Sequence, residues 1–301
     1  MLVLETIPHE TIWGGDRLAA LSKAGTKKIG HLYSVYAREG CSNRILNGEH
    51  RGKTLNDVFP EWKADLGMAE LSWFPLTLAL TEAGGHLSIQ VHPDDGTARL
   101  LEGRARGKRE SWYFLTAPHE GWIYDGCTCA DAGERDRLLA AGRYLELADR
   151  LPVEAGDYVF VEPGTLHAIT VGSLVYEIEE GADLTYRLYD HDRRDERGEP
   201  RGLQVEKAVR ALELSRRSSV GRYPPSGEIW EQTYVTRKVS NASGYRNTGK
   251  TLECFTLIDG TAECDGCALE PGMSVLLWPG EEICAAQIRL GFAAWYRGDG
   301  L

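Results

Sequence analysis

The stretch that most constrains this chain lies at residues 87–95 and reads LSIQVHPDD. Apolar and polar residues alternate through its first six positions, which is the period-two pattern of a β-strand with one buried face. Gln90 and His92 are two residues apart, so both side chains point to the same side of that strand. An amide and an imidazole placed in this way can bind one metal ion together.

Two further candidate ligands lie in separate parts of the chain. Glu110 stands in GKRESWYF at residues 107–114, and His167 ends the glycine-framed run GDYVFVEPGTLH at residues 156–167. One amide oxygen, one carboxylate and two imidazoles from separate strands suit an open site for one divalent ion, most simply Zn²⁺. His92 alone would more simply be an ordinary polar residue of a half-exposed sheet. The glycine-framed run before His167 favours the metal site over that alternative.

Charge and length exclude several classes of partner. The chain carries a formal net charge of -11 over 301 residues, which argues against binding to nucleic acid or to an anionic membrane. No apolar run approaches the roughly 20 residues of a membrane span, and the first residues do not resemble a signal peptide. Seven cysteines, an odd number, suit a reducing cytoplasm. We therefore expect a cytoplasmic protein that acts on a small molecule as a monomer or a weak homodimer.

Cysteine spacing offers an alternative site. Cys127 and Cys129 are close in sequence, and Cys264 and Cys267 form a C-x-x-C pair. Either pair could hold a structural metal or act in redox chemistry. A single C-x-x-C without a matching second pair does not specify such a site, so we do not predict one.

A local cluster of positive charge precedes Glu110. Arg104, Arg106, Lys108 and Arg109 would attract an anionic small substrate against the negative charge of the whole chain. The alternative is a solvated basic loop, and for Arg104 and Arg106 we favour that interpretation.

Short strands with Gly and Pro turns predict a mainly β fold, either a sandwich or a barrel. Asp94 and Asp95 favour the start of a helix through Leu101, and Gly103 favours its end. A turn is expected at residues 12–15, and residues 131–151 predict two short helices inserted between strands. Strands are expected at residues 2–7, 31–37, 76–80, 87–92, 112–115, 158–161, 174–179, 184–189, 229–235, 252–258, 273–277 and 285–296, with a helix at 205–214.

A weak internal repeat suggests two similar units. Residues 272–283 align with residues 156–167, and a glycine, a valine, a proline and a second glycine match in place. Ile283 stands where His167 would be, so the second unit lacks a metal ligand and one site is expected rather than two. The predicted organisation is a catalytic domain at 1–215 with a helical insert near 128–151, a linker at 216–228, and a C-terminal domain at 229–301.

With these motifs in place, the chain resembles the type I mannose-6-phosphate isomerases of the cupin superfamily over roughly residues 1–213. The similarity is carried by LSIQVHPDD at 87–95, GKRESWYF at 107–114, GTLHAI at 164–169 and LTYRLYDHDR at 184–193, with WGG at 13–15. The run at 156–167 is also close to the second cupin signature, G-x5-P-x-G-x2-H. The resemblance implies double-stranded β-helix (jelly-roll) barrels, two in tandem, with a small helical insertion.

The resemblance also implies which residues act. It implies a zinc site formed by Gln90, His92, Glu110 and His167. It implies that Arg187 and Lys108 are catalytic, and that both approach the substrate together with Ser88. The reaction implied is the reversible conversion of mannose 6-phosphate into fructose 6-phosphate through an enediol.

The roles of the charged residues have local alternatives. Arg187 would stabilise the enediolate, or would form a salt bridge with Asp183, Asp190 or Asp192. Lys108 suits a phosphate as a compact point charge, although lysines next to glycine are often loop surface. The proton-transfer base is left open among Lys108, His31, Glu177 and metal-bound water.

The chain also departs from the family. Residues 30–33 read GHLY where the family has Gly-Glu-x-Trp, residues 181–183 read GAD where it often has Asn-Ser-Asp, and Glu162 replaces a proline. These changes leave the predicted ligands intact and leave the exact sugar open. Two other functions stay in competition: a sugar-phosphate-binding cupin without catalysis, and an iron-dependent cupin oxygenase, because this ligand set does not exclude iron.

Overall fold

Antiparallel β-strands form most of the regular structure, and the computed structural model describes residues 1–25, 27–284 and 286–298. The strands are β1 (Leu2–Leu4), β2 (Ile7–Gly15), β3 (Ile29–Val35), β4 (Ala37–Arg38), β5 (Cys41–Ser42), β6 (Leu76–Glu82), β7 (Ile89–Val91), β8 (Lys108–Thr116), β9 (Trp122–Cys127), β10 (Ala148–Pro152), β11 (Tyr158–Val161), β12 (His167–Ala168), β13 (Leu174–Gly181), β14 (Tyr186–Tyr189), β15 (Ser219–Gly221), β16 (Glu228–Trp230), β17 (Tyr234–Ala242), β18 (Tyr245–Arg246), β19 (Glu253–Cys264), β20 (Cys267–Leu269), β21 (Ser274–Leu277), β22 (Glu282–Ile283) and β23 (Gln287–Tyr296). The helices are α1 (Asp16–Leu21), α2 (Leu55–Trp62), α3 (Asp95–Glu102), α4 (Ala132–Ala140), α5 (Tyr144–Leu147) and α6 (Val205–Ala211).

Three larger sheets are stacked as layers. The front sheet has the order β10-β9-β12-β7-β14, the central sheet β15-β11-β8-β13-β6-β3-β2, and the back sheet β1-β21-β19-β23-β17-β16, with β20 paired to β19. One apolar core joins front and central sheets, and a second joins central and back sheets. The predicted mainly β, antiparallel fold is therefore confirmed, and in the described residues the sheets stay open instead of pairing into a closed barrel.

Strand β13 of the central sheet packs against both the front sheet and the back sheet. Tyr176 and Ile178 pack into the core shared with the back sheet, while Val175 packs into the core shared with the front sheet. Because side chains alternate along a strand, Glu177 and Glu179 point to the front side with Val175. Two carboxylates are thus placed between the front and central sheets.

The helix after the first motif is capped as predicted. The Asp94 carboxylate accepts a hydrogen bond of 2.7 Å from the backbone N–H of Thr97 at the start of α3. Gly103 ends the helix in the left-handed region at φ 65°, which glycine adopts without a Cβ clash. These local devices set the position of the 103–107 segment that leads into β8.

The insertion contains the two short helices that were predicted, α4 and α5, but its last residues form a strand instead of a helix. Residues 148–152 form β10, which pairs antiparallel with β9, so the helical prediction through residue 151 is wrong there. Leu151 follows the leucine pattern of the insertion, but its backbone hydrogen bonds are made with the edge of the front sheet. Pairing with β9, which precedes the inserted helices in the sequence, therefore sets the conformation of residues 148–152.

The prediction of a turn at residues 12–15 is wrong, because these residues belong to β2. Gly14 allows this strand to approach the backbone of β3: a Cβ at Gly14 would lie 2.6 Å from the carbonyl carbon of Ile29 and 2.7 Å from the nitrogen of Gly30. Asp16 lies inside the first turn of α1, and Gly15 is the N-cap residue. Gly14 therefore allows a close approach between strands, whereas Gly15 leaves space for the side chain of Glu82.

We expect Gly14→Ala to destabilise the protein by about 2 kcal/mol, because backbone atoms, unlike the end of a side chain, cannot move away from the new methyl group. Urea unfolding followed by circular dichroism would measure the change.

Gly221→Ala is the matched control, since no heavy atom of the described residues lies within 4 Å of a Cβ added to that strand residue. Its free energy of unfolding should change by less than about 0.5 kcal/mol. Equal losses in the two variants would contradict the steric argument.

The division of the chain at 215 and 229 stays a prediction, although several pairings cross it. Strand β1 pairs with β21 in the back sheet, and β15, inside the segment predicted as a linker, pairs with β11 in the central sheet. The last predicted strand begins at Gln287 in the structure; Ala285 and residues 299–301 lie outside the described residues. Among the described residues, no helix has the length and apolar character needed to cross a membrane.

Candidate metal centre

A row of polar residues crosses the front sheet. Arg187 on β14 is the register partner of Gln90 on β7, Gln90 is the partner of His167 on β12, and His167 is the partner of Asp125 on β9. Register partners share a face of the sheet, so these side chains line the side that faces the central sheet. Strands β7 and β12, which are distant in sequence, thus bring two of the predicted ligands, Gln90 and His167, side by side.

The central sheet supplies the carboxylate. Glu110 on β8 places Oε2 3.1 Å from Nε2 of His92 and Oε1 3.2 Å from Nε2 of His167. The ligating atoms of these three residues all lie within 4.8 Å of one another, and all three residues are buried. The structure therefore brings together His92, Glu110 and His167 as a group able to hold a metal ion.

The backbone orients both imidazoles. Nδ1 of His92 lies 2.8 Å from the carbonyl oxygen of Leu184, and Nδ1 of His167 lies 2.9 Å from that of Thr165. A carbonyl can only accept, so each Nδ1 carries the proton, and in the neutral ring Nε2 keeps its lone pair. Burial, with Lys108 nearby, lowers the pKa of His92 to about 4, so that ring is neutral near pH 7.

The lone pairs and the carboxylate face each other without a shared proton. Nε2 of His92 and Oε1 of Glu110 are buried and have no hydrogen-bond partner among the described residues. Burial raises the pKa of Glu110, but the ammonium of Lys108 outweighs this effect and holds that pKa well below its ordinary value, so the carboxylate is ionised. Acceptor atoms in such close contact repel one another unless a cation lies between them, and two imidazoles with one carboxylate are ligands that zinc accepts.

Gln90 lies next to this group. Its amide nitrogen is 3.3 Å from Nε2 of His167, and its amide oxygen accepts a hydrogen bond of 3.0 Å from the Ser88 hydroxyl. The two ends of an amide have the same shape, so turning it over would direct the oxygen toward the centre, and Ser88 could then accept from the NH₂ group. Ser88 itself is buried, and its predicted approach to the substrate stays a prediction.

Lys108 lies inside a group of carboxylates. Its ammonium donates to Glu179 at 2.7 Å and lies 3.1 Å from Oε2 of Glu110. Burial lowers the pKa of Lys108, but Glu179 and Glu110 raise it well above the ordinary value, so the side chain carries its proton. The alternative of a loop-surface lysine is wrong, because Lys108 is buried.

Three of the candidate bases proposed from the sequence come together beside the centre. The Glu177 carboxylate accepts hydrogen bonds from the Thr81 hydroxyl at 2.5 Å and from the Trp112 ring nitrogen at 3.1 Å. His31 lies 3.4 Å from the same carboxylate. The carboxylates of Glu110, Glu177 and Glu179 approach within 4.8 Å of one another, which connects His31 and Lys108 to the metal ligands.

Arg187 carries a half-buried charge on β14, next to Gln90 across the front sheet. Its Nε has no hydrogen-bond partner, and no described carboxylate lies within salt-bridge distance, so the predicted alternative of a salt bridge to Asp183, Asp190 or Asp192 is not realised. Asp190 instead pairs with Arg193 and Arg201. Burial, and next the charge of Arg201, lowers the pKa of Arg187, which still leaves a guanidinium cationic at neutral pH.

Two groups near the centre were missed from the sequence. Glu179 follows Glu177 at strand spacing, so the alternation in residues 174–181 could have indicated it. Asp125 could not have been found, because its role depends on Ser218, which donates to it from both backbone N–H and hydroxyl. The cysteine alternative gains no support: all seven cysteines are free, and the metal-capable groups in the described residues contain none of them.

Known proteins include relatives of this chain both in sequence and in fold. No protein-family model matches it. It is 35% identical over 215 residues to the probable mannose-6-phosphate isomerase GmuF of Bacillus subtilis, a match that covers 71% of this chain and 68% of that protein. Its structure is similar to that of the mannose 6-phosphate isomerase from Bacillus subtilis, with a TM-score of 0.83 and 27% identity over 98% of this chain and 99% of the other. A mannose 6-phosphate isomerase bound with zinc and yttrium shares the fold at a TM-score of 0.67 and 13% identity over 99% of each chain.

Proposed function

Since this chain belongs to the mannose-6-phosphate isomerase family, we propose that it interconverts mannose 6-phosphate and fructose 6-phosphate at the cluster of Gln90, His92, Glu110 and His167. The reaction moves a proton between C1 and C2 and passes through an enediol, so negative charge develops on the two neighbouring oxygens. An enzyme for it needs fixed positive charge beside those oxygens and a group that carries the proton.

The observation that carries the proposal is the arrangement of Glu110 between two imidazole lone pairs. His92, Glu110 and His167 form the ligand group, Gln90 completes it after its amide turns over, and one Zn²⁺ per chain is the cofactor. A zinc ion bound there supplies Lewis-acid polarisation of the sugar oxygens. The zinc-bound relative of the same fold supports this choice of metal.

The chain's own residues then have separate tasks. Arg187, whose guanidinium has no carboxylate partner in the described part of the chain, stabilises the charge that develops on the enediolate. Lys108 keeps the carboxylates of Glu110 and Glu179 in place and supplies positive charge on the side of the central sheet. Glu177, His31 and Lys108 lie close enough to the centre to take part in moving the proton. The cytoplasm as location and a monomer or weak homodimer as the acting form complete the proposal.

The two alternative functions predict different experimental results. A sugar-phosphate-binding cupin would bind mannose 6-phosphate without turnover, and the altered residues 30–33 and 181–182 are where catalysis would have been lost. An iron-dependent oxygenase would contain iron after purification in the absence of added metal. The family relation favours the isomerase over both.

We expect a chelator to abolish the conversion of mannose 6-phosphate, and stoichiometric zinc to restore it. The reason is that three buried donors and the adjacent Gln90 lose the ion that holds them together. A coupled assay for fructose 6-phosphate, together with metal analysis of the same samples, checks this.

A panel of aldose phosphates and free aldoses identifies the preferred sugar in the same assay. Full activity in metal-free protein would exclude the zinc enzyme. Tight binding without turnover on every phosphate in the panel would support the binding protein.

A further inference from the structure

A cavity of about 770 Å³ lies on the back sheet, and its described lining includes none of the residues proposed for the metal centre. Its walls come from residues 65–67 after α2, from β16 and β17, from residues 249–251 with the start of β19, and from the end of β23. Ligand cavities in proteins typically have volumes of about 300 to 1,000 Å³, so this one is large enough for a small molecule.

The cavity is on the outer side of the back sheet. Phe292 packs into the core shared with the central sheet, whereas the next residue, Ala293, packs into a third apolar core on the other side of the back sheet. Trp295 follows Ala293 at strand spacing and is therefore on that outer side. Trp230 shares it, because Val235 is the register partner of both tryptophans. The back and central sheets thus lie between this cavity and the metal centre.

Two tryptophan rings form a corner of the cavity. The centres of the Trp230 and Trp295 rings are 6.4 Å apart, and the ring planes meet at 86°. Trp230 is 60% exposed, although tryptophan side chains are on average well buried. One guanidinium contacts each ring, with Arg297 5.4 Å from the centre of Trp230 and Arg237 5.1 Å from that of Trp295. The exposed surface of Trp230 is available to a ligand.

Hydrogen bonds hold the Trp230 ring in place. Its Nε1 donates to Oε2 of Glu228 at 3.1 Å, and Oε1 of the same carboxylate accepts from Nε and Nη2 of Arg237 at 3.0 Å and 2.7 Å. Arg237 also donates to the Tyr245 hydroxyl at 2.9 Å. A ring that is fixed before a ligand arrives loses little conformational freedom on binding, which favours affinity.

The charges around the cavity indicate the class of ligand. Its described walls carry three carboxylates and three basic groups: Asp65, Glu228, Glu253, Arg237, Lys250 and Arg297. These formal charges cancel, so the cavity favours neither an anion nor a cation. A neutral saccharide matches both kinds of wall, because its hydroxyls donate to carboxylates and accept from basic groups. The C–H groups on one face of a sugar ring carry a slight positive charge and suit the negative face of an indole.

We propose that this cavity is a second sugar site, which binds an unphosphorylated saccharide with one ring face against Trp230 and its hydroxyls hydrogen-bonded to the surrounding charged side chains. Trp295 contacts the edge of the same sugar ring, because the two indoles meet at nearly a right angle. The site does not depend on the proposed isomerase activity. With one exposed indole as the main apolar contact, the dissociation constant for a single sugar ring should be in the millimolar range.

Calorimetry and tryptophan fluorescence with methyl α-mannoside test the proposal, since this sugar has no phosphate and cannot open its ring to be isomerised. Trp230→Ala should weaken binding about tenfold or more, as the loss of an aromatic anchor commonly does, and Trp230→Phe should keep part of the affinity. Trp122→Ala is the matched control: Trp122 is also partly exposed and lies under a guanidinium, that of Arg150 at 4.1 Å, but it belongs to the front sheet. The kcat and KM for mannose 6-phosphate should be the same in Trp230→Ala and the wild type.

The His167→Ala variant separates this site from the metal centre. It should bind methyl α-mannoside as tightly as the wild type, whereas a sugar held at the metal centre would be lost. Binding that depends on Trp230 in a protein that turns over no sugar phosphate would support the second site while the isomerase proposal fails.

Several results would overturn the second sugar site. They are equal affinities in Trp230→Ala and Trp122→Ala, no binding of methyl α-mannoside or of a mannose disaccharide at millimolar concentrations, and binding of adenosine in preference to both sugars. A wild-type dimer that becomes a monomer in Trp230→Ala, measured by sedimentation, would also overturn it, because the cavity would then be a contact between two copies of the chain.

Discussion

His167→Ala should lose both its zinc and its activity, with kcat lower by at least about a thousandfold. The imidazole is one of three buried donors that meet within 4.8 Å, and its Nδ1 is held by a backbone carbonyl. Lewis-acid stabilisation by a bound metal contributes several kcal/mol, and a thousandfold in rate corresponds to about 4 kcal/mol. Metal analysis and steady-state kinetics on the same preparation measure the two losses together.

A variant of His92 tests the same ligand group. His92→Ala should have the same effect, and the double variant should be hardly worse than either one, because both residues act through a single ion. His119→Ala is the control, since it removes an exposed imidazole that does not belong to the group of ligating residues and should keep zinc and activity. Retention of stoichiometric zinc and of more than a tenth of kcat in a folded His167→Ala would refute the ligand assignment.

Arg187→Gln should lower kcat by about a hundredfold to a thousandfold while leaving the zinc content unchanged. The guanidinium is half-buried and lies next to Gln90 across the sheet, and no carboxylate of residues 1–25, 27–284 or 286–298 pairs with it. Removal of one group that stabilises a developing oxyanion typically has an effect of this size. KM should change little, because the charge appears only as the enediolate forms.

Arg194→Gln is the matched control: it removes the same charge from the exposed loop that follows β14 and should leave kcat unchanged. Arg187→Lys should fall between Arg187→Gln and the wild type, since a lysine keeps the charge but loses the planar pair of donors. If kcat in Arg187→Gln stayed within threefold of the wild type, or if the zinc were lost, Arg187 would not have the proposed role.

Much of the metal centre could be predicted because its signals are local. The alternation at residues 87–92 places Gln90 and His92 on one side of β7 whatever the rest of the chain does. The caps at Asp94 and Gly103 depend on hydrogen bonds within a few residues, and both are as predicted. The predictions that failed, the turn at residues 12–15 and the helix through residue 151, concern segments whose backbone partners are distant in sequence.

By itself, the sequence determined which side chains share a strand face and which chemical groups are available to a metal ion. Only the tertiary structure decided that Glu110 reaches across from the central sheet, that Arg187 lies beside Gln90, and that Trp230 meets Trp295 at a cavity. The physical reason is that side-chain alternation is a property of one strand, whereas sheet order, register and stacking follow from burying the apolar faces of all the strands together.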